Sequence, residues 1–220
     1  MRNLFYTLAA VILSTYSLYS QNNDEYRYLF NHENIRFSGF GGPLVMFGQA
    51  EGDFGVYSGG GGALLINQRY FLGGYGMGLA TAHYRFQKSV AGKSYPELRT
   101  SFGHGGFWLG YVHRPSALIH LASSLKLGWG QISLYEETYH FDHYDYLAKD
   151  NVFVMTPMIE AEVNLTTWFK VNAGLGFQWT AGVGDRVYQQ TQERIYQGSD
   201  YSSPVLNLGL LFGGFGDRRR

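Results

Sequence analysis

Apolar and polar residues alternate one by one along much of the chain, most regularly from Phe169 to Thr180. Phe169, Val171, Ala173, Leu175, Phe177 and Trp179 share one face; Lys170, Asn172, Gly174, Gly176, Gln178 and Thr180 share the other. A two-residue period belongs to a β-strand whose faces meet different surroundings. Phe153 to Leu165 repeats the pattern, with Met155, Pro157 and Ile159 against Thr156, Met158, Glu160 and Glu162. Ile119 to Trp129 sets Leu121, Leu125 and Leu127 against His120, Ser124 and Lys126, and Leu206 to Gly213 closes the series. In the first half, glycine blurs the alternation. Strands are expected there near 35–48, 54–66, 70–86 and 99–113, with their facing open. Gly59 to Gly62 and Gly73, Gly74 and Gly76 lie inside these segments. Glycine within a strand marks a bulge, a bend or a close backbone approach, and the tight curvature of a narrow barrel supplies such a reason.

The connections alternate in length. Short ones fall at Asn67-Gln68-Arg69, His113 to Ser116 and Leu165 to Thr167; long ones are expected near 87–98, 134–151 and 183–203, with a shorter one near 49–53. Short turns on one side and long loops on the other are the plan of an outer-membrane barrel. The predicted fold is all-β: an eight-stranded antiparallel transmembrane β-barrel, an up-and-down meander over 35–216. Trp168 and Trp179 are about 36 Å apart along a strand at roughly 3.3 Å per residue. With a tilt near 40°, that becomes about 28 Å vertically, the spacing of two interfacial aromatic girdles. Trp129 joins them as a girdle candidate. A soluble lipocalin-like barrel would carry its apolar residues inside, whereas here the charges share the glycine face.

Composition agrees with this pattern. Aromatic residues make up 17% of the 220 residues and charged residues only 15%, against about 25% charged in a soluble domain. A mean hydropathy of −0.18 is too polar for a bundle of membrane helices. Cysteine is absent, which removes disulfides, Cys-based zinc sites and an N-terminal lipidated Cys from consideration. Zero net charge gives nucleic acid nothing to bind. Residues 1–20 read as a signal peptide: a positive start at Arg2, an apolar run from Leu4 to Leu13, then small and polar residues. That run is shorter than the roughly 20 residues of a membrane-spanning helix. Residues 21–34 read as a polar periplasmic lead-in, and 217–220 as a basic tail.

The run Phe37-Ser38-Gly39-Phe40-Gly41-Gly42-Pro43, with Gly59 to Ile66 and Gly73 to Leu79, resembles a family of small uncharacterised outer-membrane β-barrels from Bacteroidetes-type bacteria. The motif-bearing part covers roughly 35–80, and the remaining strands are similar to the general OmpA-like, eight-stranded architecture. The resemblance implies a bacterial cell outer membrane location and a barrel fold. It brings no catalytic residues with it.

Three groups of residues could carry chemistry. Glu160, Glu162, Lys126 and Lys170 are expected to face the lumen, where an eight-stranded barrel is filled by its own side chains. Buried charges there must pair, so these four are ion-pair candidates, with a proton or ion path as the alternative. The short turn at 165–167 sets Glu162 opposite Lys170 or one diagonal away. Second, His140, Asp142, His143 and Asp145 lie in a tyrosine-rich loop and could ligate a divalent metal or another ligand. Their spacing matches no established zinc signature, and the same loop suits protein or glycan contact. Third, His83 and His104 lie near the outer leaflet, where a lipid A-modifying enzyme would need a catalytic residue, but no G-x-S-x-G context surrounds either. The expectation is therefore a non-enzymatic barrel with a closed polar lumen and no cofactor. Its role would be structural, adhesive or secretion-accessory, exercised through surface loops. Its partners would be outer-membrane lipid and a surface protein, glycan or secretion component. Narrow transport of ions, protons or small solutes, and lipid A modification, are the alternatives.

Overall fold

In the computed structural model, residues 35–81, 83–90, 93–136, 146–184, 186–187, 194–196 and 198–216 are described, with side chains for 35–81, 99–135, 149–184 and 199–216. The strands are β1 (Phe37–Ala50), β2 (Asp53–Ile66), β3 (Tyr70–Leu79), β4 (His83–Val90), β5 (Lys93–His113) and β6 (Ile119–Glu136). They continue with β7 (Tyr146–Asn164), β8 (Phe169–Ala181), β9 (Arg186–Val187), β10 (Arg194–Tyr196) and β11 (Ser203–Gly213). Antiparallel pairing runs β3-β2-β1-β11-β8-β7-β6-β5-β4, and a further β3–β5 pairing closes the ring. β3 pairs with Gly103–Tyr111 of β5, and β4 with its Lys93–Thr100 portion, so β3 and β4 occupy one position in the wall. Eight positions result, in meander order. Closure removes the exposed edges that an open sheet would present.

The single expected strand at 70–86 is thus two strands, divided after Leu79. The long loop foreseen near 87–98 is strand over 87–90 and 93–98, and strand enters the one foreseen near 134–151 from both ends, at 134–136 and 146–151. Val90 pairs with Lys93, and β6 and β7 stay paired up to Tyr135 and Tyr146. β5, β6 and β7 run to 21, 18 and 19 residues, beyond the roughly 9–11 that cross a membrane. Polar residues do not stop a strand whose backbone still finds a partner, which is why composition alone misplaces these ends. The segment after β8 also carries structure: the β9–β10 pair and a 3-10 turn at Gly198–Tyr201. At the same end, β1 and β2 are joined by only Glu51 and Gly52, both with positive φ (54° and 85°), as a two-residue hairpin of primed type requires. The turns at 67–69, 114–118 and 165–168 lie at the opposite end, the periplasmic one by their brevity.

Outside, the wall is apolar. Leu175 and Ile159 are each 68% exposed, and Leu121, Leu72, Phe107 and Leu208 join them. Soluble monomers rarely leave so wide an apolar belt to water, and such a surface marks contact with a membrane or a partner. Trp168 stacks with Phe169 and Phe212 toward the periplasmic end, while Trp129 contacts Phe107 and Phe153, and Trp179 contacts Phe177, farther up the wall.

Inside, the two halves of the ring differ. β1, β2, β3 and β5 contribute Leu44, Met46, Tyr57, Phe71, Tyr75, Phe102 and Trp108, all buried. Inward glycines make room for these rings. A Cβ on Gly61 would come within 3.0 Å of the Trp108 ring, and one on Gly110 would collide with Phe71. Clearance for large side chains, rather than curvature alone, explains these glycines. β6, β7, β8 and β11 contribute His120, Lys126, Glu160, Glu162, Lys170, Asn172, Gln178 and Asn207, also buried.

Candidate functional site: the barrel lumen

The inward charges come from strands whose alternation leaves no other choice of face. Lys170 is the second residue of β8, just after the 165–168 turn, and Glu162 stands on β7 opposite Asn172, so the pair meets across one diagonal. Lys170 Nζ donates to Glu162 Oε2 at 3.0 Å. His120, directly across β6 from Glu162, places Nε2 2.9 Å from the same oxygen and 3.3 Å from Lys170 Nζ. Its Nδ1 lies 3.0 Å from the Ala117 carbonyl, which fixes the ring. The ring of Phe215 sits 4.5 Å from Lys170 Nζ and caps the group from beyond β11. Side-chain exposure of 5% or less makes this a desolvated cluster at the periplasmic end of the lumen. The expected pair lacks His120, although its parity with Lys126 on β6 puts it inside.

Glu160 and Lys126 behave differently. Both are 1% exposed, yet they form no ion pair with each other. Lys126 Nζ donates to Met158 Sδ at 3.3 Å and lies 5.2 Å from the centroid of Trp108. Neither carboxylate oxygen of Glu160 has a hydrogen-bond partner. The expected group of four charges therefore divides into a joined pair, extended by His120, and two charges that do not touch.

The aromatic half closes the rest. Phe40, Phe71 and Trp108 meet edge to face, with centroids 5.3–5.5 Å apart. Above them, Tyr57 meets Phe102, and Phe102 meets Tyr201 of the 3-10 turn. That turn is drawn into the mouth of the barrel. Gln178 Nε2 and Thr180 Oγ1 donate to the Tyr201 carbonyl, and Gly52 N donates to the Asp200 carbonyl. Tyr201 is fully buried as a result. Nothing in the alternation foretells this plug, because it is made by a loop turning inward.

His104 faces the lumen, with Nδ1 3.2 Å from the Tyr75 hydroxyl and its ring among Tyr57, Tyr75 and Phe102. It is turned away from lipid, contrary to the placement a lipid-modifying residue would need. His83 begins β4, and its side chain lies outside the described ones, as do His140, Asp142, His143 and Asp145 altogether. Among the described residues, no group of three or more His, Asp or Glu side chains could hold a metal ion.

No protein-family model matches the chain, and no curated protein matches it. Among solved structures, it is similar to Neisserial surface protein A at 10% identity, over 82% of this chain and 99% of that one, with a TM-score of 0.51. It is also similar to a major outer membrane protein from Thermus thermophilus, at 11% identity over 79% and 98% of the two chains, with a TM-score of 0.49. A third is Ail, the attachment invasion locus protein of Yersinia pestis, at 12% identity over 80% and 97%, with a TM-score of 0.43. The likeness to the neisserial protein is one of fold. The chain has the closed, eight-stranded antiparallel fold of small bacterial outer-membrane β-barrels, with the apolar outer belt that location in such a membrane requires.

Proposed function

We propose that this chain is a non-enzymatic outer-membrane barrel with a closed lumen, serving a structural, adhesive or secretion-accessory role through its extracellular side. In this reading residues 1–20 are the export leader, 21–34 a periplasmic lead-in and 217–220 a basic tail. The observation that carries the proposal is occlusion at both ends. The Lys170–Glu162–His120 cluster with Phe215 fills the periplasmic end, and Tyr57, Phe102 and Tyr201 fill the mouth. A lumen filled in this way offers a solute no path and a substrate no entry. The useful surface is then the strand tips and connections that rise above the belt, where a surface protein, a glycan or a secretion component would bind. Reconstitution into planar bilayers tests the reading: the wild-type protein is expected to leave the baseline current unchanged. Regular ohmic steps from the wild type would replace it with narrow transport. Altered lipid A masses in cells that produce the protein would replace it with an enzyme.

A further inference from the structure

One seam of the wall is closed differently from the rest. β1 and β11 are paired from Phe40 and Gly213 up to Phe47 and Leu206, and there their ladder stops. Both strands continue beyond it. β1 stays with β2 as far as Ala50 opposite Asp53, and β11 stays with β8 as far as Ser203 opposite Gln178. Over these last residues the seam is held by a side chain, with Gln49 N donating to Ser203 Oγ at 3.0 Å. Pro204, in the same stretch, has no N–H to give a ladder. On the outer face this seam opens as a notch of about 680 Å³. Phe47 and Phe54 line one side, stacked with centroids 6.2 Å apart and planes 19° from parallel. Leu175 and Leu206, paired across β8 and β11, line the other. Leu175 lies between Trp168 and Trp179, the girdle residues flanking β8, and closer to Trp179. The notch therefore opens within the apolar belt, on its extracellular side.

Its polarity runs in one direction. Gln49 and Asp53 lie at the end nearest the β1–β2 hairpin, and the rest of the lining is mostly apolar. Gln49 Nε2 donates to the Gly52 carbonyl at 2.6 Å, which leaves the exposed Asp53 carboxylate to meet a ligand. Asp53 is also the one charged residue of the lining, so a cationic group is attracted there and an anionic one repelled. An apolar body with a cationic end is an amphiphile. A second barrel fits the notch poorly, because its convex wall offers no projecting chain to enter it. We propose that the notch binds an acyl chain of an outer-leaflet lipid whose headgroup carries an ammonium. The chain lies between the Phe47–Phe54 stack and the Leu175–Leu206 pair, and the ammonium lies at Asp53. The volume is within the roughly 300–1,000 Å³ of sites that enclose small ligands. A chain held there sits in the wall, not against it, which separates this site from the general contact of the belt with lipid. It depends on the wall alone and stands whether or not the lumen is closed.

Photocrosslinking in lipid nanodiscs tests the proposal on the whole barrel. The probes are phosphatidylethanolamine and phosphatidylglycerol carrying the same diazirine on one acyl chain. Crosslinks from the ethanolamine lipid are expected to concentrate on residues 47–54 and 203–206 and to saturate against excess unlabelled phosphatidylethanolamine. They should exceed those from the glycerol lipid about fivefold, the discrimination that one charge near a membrane surface gives. Pro204→Trp puts an indole into the notch from an outward position and should abolish them. Asp53→Asn should keep the crosslinks and remove the preference. Wild-type crosslinks spread evenly around the belt, or unaffected by the competitor, would overturn the proposal whether or not either variant folds. Unchanged crosslinking in folded Pro204→Trp would do the same, as would a preference for phosphatidylglycerol or one that survives Asp53→Asn. Loss of the lipid crosslinks in discs holding two barrels would assign the notch to a second copy and overturn it as well.

Discussion

Replacing Lys170 with methionine keeps most of the volume and removes one charge from the periplasmic end of the lumen. In the wild type, Glu162 Oε2 takes contacts of 3.0 Å from Lys170 and 2.9 Å from His120, at 5% side-chain exposure. Removing one partner of a buried pair costs about 3–5 kcal/mol, chiefly because the other charge is left stranded. His120 remains on Glu162 here, so Lys170→Met should fall at the lower end, about 3 kcal/mol. Adding His120→Ala should move the loss toward the upper end. Replacing Glu162 as well, in Lys170→Met/Glu162→Met, removes the stranded charge, and the double variant should lie within about 2 kcal/mol of the wild type. The coupling energy is then substantial and favourable. Reversible urea unfolding in phospholipid vesicles, followed by fluorescence of the four tryptophans, measures all corners of the cycle. A coupling near zero, or a Lys170→Met variant within about 0.5 kcal/mol of the wild type, would refute the assignment of this cluster as a desolvated lock.

Leu175 is 68% exposed on the outer face of β8, so Leu175→Arg should cost about 2–4 kcal/mol in vesicle refolding; unchanged stability would mean that this face does not meet lipid. Gly110→Ala drives a methyl into the Phe71 ring and should cost about 1–3 kcal/mol, whereas Gly76, with nothing within 4 Å of its would-be Cβ, should tolerate alanine without loss. Equal effects at the two positions in the same unfolding assay would contradict the division into crowded and open glycines. The whole protein should fractionate with outer membranes and migrate differently on gels before and after boiling; recovery from the periplasm without detergent would end the barrel reading.

How much of this is legible in the sequence depends on contrast between the two faces of each strand. β6, β7, β8 and β11 alternate cleanly because lipid lies outside them and charges or amides lie within. Their parity alone puts Glu162, Lys170, Glu160 and Lys126 indoors. β1, β2, β3 and β5 give no such reading, because Leu44, Tyr57, Phe71 and Trp108 inside are as apolar as Phe54, Leu64, Leu72 and Phe107 outside. A two-residue period vanishes when both faces prefer the same solvent. Parity also cannot say which inward charges meet. That depends on register, which joins Glu162 to Lys170 and His120 and leaves Glu160 and Lys126 apart. The Tyr201 plug is beyond reach for a different reason: its burial comes from a loop folding back, and local spacing holds no trace of that.

The rim of the barrel is far from level. Around β1 and β2 the chain turns over in two residues, Glu51 and Gly52, whereas β5 carries eight residues, Lys93–Thr100, past the end of β3 and keeps them paired with β4. At roughly 3.3 Å per residue those eight span about 26 Å. β2 itself passes the end of β3 by four residues, Asp53–Val56, so the tall side outreaches the low one by about four residues of strand, roughly 13 Å. The extracellular face is therefore a palisade on one flank and a threshold on the other.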